Sequence, residues 1–314
     1  MPPKTEAAIR SCSTEAACDR PPQFSWPQQF LFLYFTGTIQ YLHAKDKQET
    51  AMKIIFLGTG TSHGVPSLDC MIQGYASCPQ GVCRSAASDP RHRRTRSSLL
   101  AEWNGHRVLF DAGPDLRRQC LREKIASINA VLVTHGHADH IGGIPDIRSY
   151  TRHQPIPFYG SAETIGRIRS TFSYIFDPST PTGGGIPSIT TRIVKKPFRL
   201  FGESVVPVNV EHLQLKGCYG FRVGPLAYIP DMKTIAAGER AKLSGLEVLV
   251  LNCLRRGPQH ISHLTLRQSI ALAREIAPRQ CYFIHMSHDI HYQLDRRSLD
   301  PWMDFACDGL HLEV

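Results

Sequence analysis

The sequence has no long apolar run. The longest unbroken one, Phe30 to Phe35, is six residues, against about 20 for a bilayer span. A transmembrane helix is therefore excluded, and a membrane is not an expected partner. Charge is modest, at 20% of 314 residues, beside 42% hydrophobic residues. That balance excludes a disordered chain, which pairs low hydrophobicity with high net charge. Glycine (24) and proline (22) are too few for a collagen-like chain. Ten cysteines in 314 residues are too dilute for a disulfide scaffold. Acid is in deficit: 36 Lys plus Arg stand against 27 Asp plus Glu, a net charge of +9. Such a surface suits an anionic partner, a phosphate ester or a nucleic acid, without specifying which. Histidine is plentiful, at 15. Together with ten cysteines it makes a metal site the first thing to look for.

Residues 1–51 read differently from the rest. Pro2, Pro3, Pro21, Pro22 and Pro27 interrupt them and no periodicity is sustained. Five basic residues (Lys4, Arg10, Arg20, Lys45, Lys47) balance five acids (Glu6, Glu15, Asp19, Asp46, Glu49). No basic leader runs into an apolar stretch with a small-residue cleavage site, and a transit peptide should lack those acids. We expect an N-terminal extension, 1–51, poorly ordered or non-native. A single domain, 52–314, follows and opens at Met52 with MKIIFLGTGTSHGVP. The expected location is the cytoplasm, with organelle targeting by 1–51 left open.

From Met52 strands and helices are mixed. KIIFLG (53–58) and RVLFDAG (107–113) are short apolar runs closed by glycine, hence strands. PDLRRQCLREKI (114–125) places Leu116, Cys120 and Leu121 at helical spacing. AVLVTH (130–135) is a strand running into polar residues, and SAETIGRIRSTF (161–172) is a helix capped by Ser161. SITTRIV (188–194), SVVPVNVEH (204–212), CYGFRVG (218–224), PLAYIPD (225–231) and LEVLVLNCL (246–254) read as successive strands. TLRQSIALAREI (265–276) is a helix with Leu266, Ile270, Ala273 and Ile276 on one face, and QCYFIHMSH (280–288) is a strand ending in histidines. The alternation predicts one layered α/β domain. No repeat of 20–50 residues is visible, and a duplicated half-sheet would not show at this level.

The strongest signal is THGHADHIGG, 134–143. His135, His137, Asp139 and His140 crowd six positions just after a strand. Imidazole and carboxylate are ligands that zinc and manganese accept. A chain leaving a strand tip can aim His135 and His137 at one cation and Asp139 and His140 at a second. Gly142 and Gly143 let backbones approach closely.

This HxHxDH motif resembles that of the metallo-β-lactamase fold hydrolases, over roughly 52–314. The resemblance implies an αββα sandwich with a two-metal site at one edge. It also implies three further ligands at later strand ends, and His212, Asp231 and His285 stand in that order. It then assigns His135, His137 and His212 to one metal (Zn or Mn), and Asp139, His140 and His285 to the other, with Asp231 bridging. Asp111, in LFDAGPD, matches the family's acid at an early strand end, where it accepts the ring N–H of a ligand histidine. LGTGTSHGVP (57–66) resembles the opening of the phosphodiesterase branch. That branch includes transfer-RNA 3′-processing nucleases and the phosphoribosyl cyclic phosphodiesterase type. In the latter, a cysteine cluster and a histidine just after the last ligand hold a structural zinc. Cys70, Cys78, Cys83 and His288 match those places, at the wider spacing Cys-x7-Cys-x4-Cys. Free buried thiols are the alternative. In QHISHLTLRQ (259–268), His263 matches the histidine that reaches the scissile phosphate, as general acid or phosphate ligand, while His260 supports it or sits on the surface.

The resemblance thus implies hydrolysis of a small anionic phosphodiester, with a phosphoribosyl 1,2-cyclic phosphate as the leading candidate. A metal-bridging hydroxide would attack phosphorus, and His263 would protonate the leaving group. A transfer-RNA 3′-processing endoribonuclease is the second reading, with nucleic acid as partner. An inactive metal-bound module that binds nucleotides or RNA is the third, and a homodimer is left open. The arginine-rich stretch 84–100 is expected to be a solvated face, or to line the route for an anionic substrate, and 177–189 a surface loop or a cover for substrate.

Overall fold

Among the described residues, fourteen strands carry the fold. The computed structural model describes residues 51–181, 183 and 185–314, so the expectation for 1–51 lies outside the described residues except for Ala51. In chain order the strands are β1 (Lys53–Gly58), β2 (Ser98–Trp103), β3 (His106–Phe110), β4 (Ala130–Leu132), β5 (Ile156–Gly160), β6 (Ile189–Ile193) and β7 (Phe198–Leu200). They continue with β8 (Glu203–Asn209), β9 (Tyr219–Val223), β10 (Leu226–Ile229), β11 (Val248–Asn252), β12 (Gln280–Ile284), β13 (Met303–Phe305) and β14 (His311–Glu313).

Two seven-stranded sheets result, ordered β14-β1-β2-β3-β4-β5-β6 and β13-β12-β11-β10-β9-β8-β7. In the first sheet the junctions from β14 to β3 are antiparallel and those from β3 to β6 are parallel. The second runs antiparallel from β7 to β10 and parallel from β10 to β13. Both halves share one pairing plan that leaves no sequence repeat, because pairing constrains apolar alternation and not residue identity.

Burial follows the two-residue period of a strand. Phe56, Phe110 and Leu132 face Phe221, Tyr228 and Val250 between the sheets. Their neighbours point the other way. Leu249, Leu251 and Phe283 pack against Leu266, Ile270 and Ala273 of the helix Leu266–Ile276. Leu109, Val131 and Phe158 pack against Leu116, Ile165 and Ile168, from helices Leu116–Arg122 and Ala162–Thr171. The layers are therefore helix, sheet, sheet, helix: the αββα sandwich. Thr265 and Gln268 form a capping box on one helix, and Ser161 caps another, each satisfying backbone donors that a helix start leaves orphaned. Among the described residues no helix is long and apolar enough to cross a membrane.

Two expectations are corrected. The strand read over 204–212 ends at Asn209, so His212 lies three residues out in a loop. Within 84–100, Arg94 is buried, not solvated. Its guanidinium donates to the carbonyls of Ser287 (2.7 Å) and Ile290 (2.8 Å). Burial lowers its pKa to about 10. The stretch 287–290, just past the last strand-end histidine, is pinned by this buried charge.

Candidate metal centre

Every histidine and aspartate singled out for the metal centre sits where the chain leaves a strand. Asp111 and His285 directly follow β3 and β12, and Asp231 comes two residues after β10. His135 lies three residues past β4, and His137 stands at the residue before the short helix Ala138–Ile141, which carries Asp139 and His140. Strands of both sheets thus deliver side chains to one edge. Asp111 (φ 59°) and His285 (φ 56°) adopt left-handed backbone, a conformation that costs a non-glycine residue on the order of 1 kcal/mol or more. Such outliers concentrate where a chain must aim a side chain at a site. Gly143 belongs to the same edge: a Cβ there would stand 2.1 Å from the Gly113 carbonyl oxygen. The Asp111 loop and the motif helix can therefore touch only through glycine.

The side chains form two overlapping groups, His135, His137, His212 with Asp231, and Asp139, His140, His285 with Asp231. Within each, one ligand-type atom per residue lies within 4.8 Å of the others. Asp231 Oδ2 is 3.4 Å from His135 Nε2, 3.5 Å from His212 Nε2 and 3.5 Å from His140 Nε2. His137 turns its Nδ1 inward, 2.9 Å from His135 Nε2 and 3.3 Å from His212 Nε2. Asp139 Oδ2 is 3.3 Å from His140 Nε2 and 3.8 Å from His285 Nε2. His285 Nε2 and Asp231 Oδ1 stand 3.0 Å apart, yet both atoms, with His140 Nε2, are buried and lack a hydrogen-bond partner. Buried polar atoms normally have partners. Orphaned nitrogen and carboxylate atoms converging on shared space suit two divalent cations, for which neutral imidazole and carboxylate are the right donors.

The far ring atoms are held. His140 Nδ1 donates to Asp111 Oδ2 at 2.8 Å, and His212 Nδ1 donates to the Ser262 carbonyl at 3.0 Å. Asp111 also accepts from the Thr134 amide (2.8 Å) and hydroxyl (2.9 Å). Burial opposes charge on His140, but Asp139, Asp111 and Asp231 together carry its pKa well above the imidazole range. Burial likewise pushes against ionised Asp231, and His285 and His140 hold its carboxyl well below the usual range.

His263 comes from the loop between β11 and the helix Leu266–Ile276. Its ring lies between His285 (4.6 Å between centroids) and His212 (4.7 Å). Its Nδ1 is buried without a partner, and burial, with His285 next, lowers its pKa to about 2. His260 stacks on it at 5.3 Å and accepts from Ser262. Lys233 Nζ, a residue the sequence reading passed over, approaches the His263 carbonyl at 3.4 Å.

A third group stands apart: Cys70, Cys78, Cys83 and His288. Cys70 Sγ is 2.9 Å and Cys83 Sγ 3.6 Å from His288 Nδ1. Three sulfurs and one imidazole suit a closed tetrahedral zinc site. Burial raises the Cys83 thiol to about 12, a cost that a bound cation would reverse. All eight cysteines among the described residues are unbridged.

Comparison with known proteins accords with this geometry. A family profile described as beta-lactamase superfamily domain matches residues 106–286. A crystal structure of a diphosphatase from the PhnP family shares 35% identity, covering 84% of this chain and 98% of that one, with a TM-score of 0.74. An octanoyltransferase of Porphyromonas gingivalis is 34% identical over 264 residues, 82% of this chain; the match spans about half (51%) of that protein's length. Zinc-bound PqqB of Methylobacterium extorquens shares the fold, at 22% identity, with a TM-score of 0.64, covering 83% of this chain and 100% of that one. With two stacked sheets, a profile match over most of the domain and donor clusters at the expected edge, the chain belongs to the metallo-β-lactamase superfamily of hydrolases.

Proposed function

We propose that the protein is a binuclear metal-dependent phosphodiesterase. The observation that carries the reading is a pair of four-residue donor groups sharing Asp231, with the His263 ring against both. The likeness to a PhnP-family diphosphatase supports phosphorus chemistry over lactam or thioester chemistry. His135, His137 and His212 would hold one cation, Asp139, His140 and His285 the other, and Asp231 both. Two such cations supply an activated water and neutralise charge on a phosphoryl oxygen.

The chain's own residues set the geometry. With a cation bound, Asp111 would hold the His140 proton on Nδ1 and leave the Nε2 lone pair for that cation. The Ser262 carbonyl does the same for His212. His263 faces the space between the groups, where the negative charge of a bound phosphodiester would favour its protonated ring and let it donate an N–H to the leaving oxygen, its loop steadied by Lys233. A small cyclic phosphate such as phosphoribosyl 1,2-cyclic phosphate is the proposed substrate. Cys70, Cys78, Cys83 and His288 would hold a structural zinc. That zinc would tie the 70–83 loop to the chain just past His285.

The test is hydrolysis of bis(p-nitrophenyl) phosphate with Mn²⁺ or Zn²⁺. Turnover lost by Asp139→Ala and reduced about 100-fold or more by His263→Ala is expected. Absence of turnover with either metal would overturn the reading.

A further inference from the structure

A cavity of about 320 Å³ is lined by five arginines and two aspartates. Its volume is at the lower end of the range for small-molecule sites. Arg93, Arg94 and Arg96 come from the arginine-rich stretch, and Arg118 and Arg122 from the helix Leu116–Arg122. The acids are Asp115 and Asp308. No residue of the three donor clusters lines it.

Positive charge is in excess there. Arg96 pairs with Asp115 at 3.1 Å, and Arg122 pairs with Glu123 and, at 3.4 Å, with Asp308. Asp308 is already committed: one oxygen accepts from the Thr59 amide and hydroxyl, the other from the Thr95 amide and hydroxyl. No carboxylate pairs with the other three arginines. Arg93 donates to the carbonyls of Ala86 and Ala87, each at 2.6 Å, and Arg94 to those of Ser287 and Ile290. A carbonyl satisfies the donor and leaves the charge unanswered. Among the described residues Arg118 has neither a hydrogen bond nor an ion pair, and it is exposed. A concave wall with one sign of charge in excess concentrates counter-ions.

The walls are also set in advance. Val65 and Arg94 exchange both backbone hydrogen bonds at 2.9 Å. The Arg96 side chain spans the Ser62 carbonyl (3.0 Å) and Asp115. A preformed site spends little binding energy on ordering.

We infer that this cavity binds a triphosphate chain, as an effector site separate from the metal centre. Three unanswered guanidinium charges call for a multivalent anion, and guanidinium forks match phosphoryl oxygens. The chain is bound there and not hydrolysed, because the cation donors lie elsewhere. It is either free or the tail of a nucleotide.

The test is calorimetric titration of the metal-loaded full chain with two non-hydrolysable probes. One is triphosphate with both bridging oxygens replaced by methylene, and the other is its 5′-adenosyl ester. The double variant Arg93→Gln, Arg118→Gln should weaken one binding event about tenfold or more and leave any event at the metal centre unchanged. Equal affinity for the two probes assigns the free chain, and tighter binding of the ester assigns a nucleotide; either supports the site. Arg118 has no contact to lose, so Arg118→Glu alone should fold and weaken that event severalfold if the double variant loses its thermal transition. In both variants kcat/KM for bis(p-nitrophenyl) phosphate should stay within about twofold of wild type, as for other surface substitutions. Absence of a binding event that responds to these substitutions overturns the inference. A fall in kcat/KM parallel to the loss of binding also overturns it, since the cavity would then belong to the substrate path. The titration decides the matter even if that phosphodiester is not turned over.

Discussion

Asp111→Asn isolates one link in the account, from a buried carboxylate through His140 to a cation. Asp111 is fully buried and accepts from His140 Nδ1 at 2.8 Å and from the Thr134 amide at 2.8 Å. The amide has one oxygen in place of two. If that oxygen serves Thr134, the new NH₂ faces the His140 N–H, donor against donor. The ring then relieves the clash by moving its proton to Nε2, the atom needed for the cation. If the oxygen serves His140, the Thr134 amide is orphaned. Either arrangement costs about 1–3 kcal/mol, which corresponds to roughly 5- to 150-fold in an equilibrium constant. Loss of such an outer partner typically weakens metal binding about 10- to 100-fold. Volume is conserved, and asparagine tolerates the left-handed backbone at this position, so the fold should persist. In a calorimetric titration with Zn²⁺, one affinity should weaken by that factor, with the other within about threefold. Both affinities within about twofold of wild type would refute the chain of reasoning.

Arg94→Met leaves the Ser287 and Ile290 carbonyls unpaired while relieving a buried charge. A net loss of about 2–4 kcal/mol is expected in denaturant unfolding, and an unchanged midpoint would contradict the pinning role. Cys78→Ser should lower the metal content, read by native mass spectrometry, from three ions per chain to two; an unchanged count rejects the cysteine site. His92 is buried and accepts from the Tyr292 amide at 3.1 Å, and burial, with Arg94 next, lowers its pKa to about 4. Because the folded value lies below the unfolded one, near 6.5, His92 contributes full stability above that pH. It loses that stability as pH falls toward 4, by up to about 3 kcal/mol. His92→Gln should flatten that part of the stability profile, and an identical profile would contradict it.

The centre was legible because its residues announce themselves locally. Four ligand-type residues within 135–140 need no long-range information, and His212, Asp231 and His285 each follow a readable apolar run. What escaped depends on distant partners. β14 is three residues long and pairs Lys53 with Glu313. Nothing in HLE suggests a strand until β1 lies beside it. Val210 extends the apolar pattern past the end of β8, which is why the strand was read as running to His212. Arg94 sits among four other arginines of 84–100, and only carbonyls about 190 positions away explain its burial. Arg167 and Lys216 are ordinary surface residues in the sequence, and only the fold brings both to the lining of one cavity with His137.

The account turns on Asp231 serving two cations at once. Crystals of the Zn²⁺-loaded protein, measured at the zinc absorption edge, test it most directly. The prediction is two anomalous peaks, each about 2.0–2.2 Å from an Asp231 oxygen, one ringed by His135, His137 and His212 and the other by Asp139, His140 and His285. A single peak, or none within bonding distance of Asp231, would contradict it.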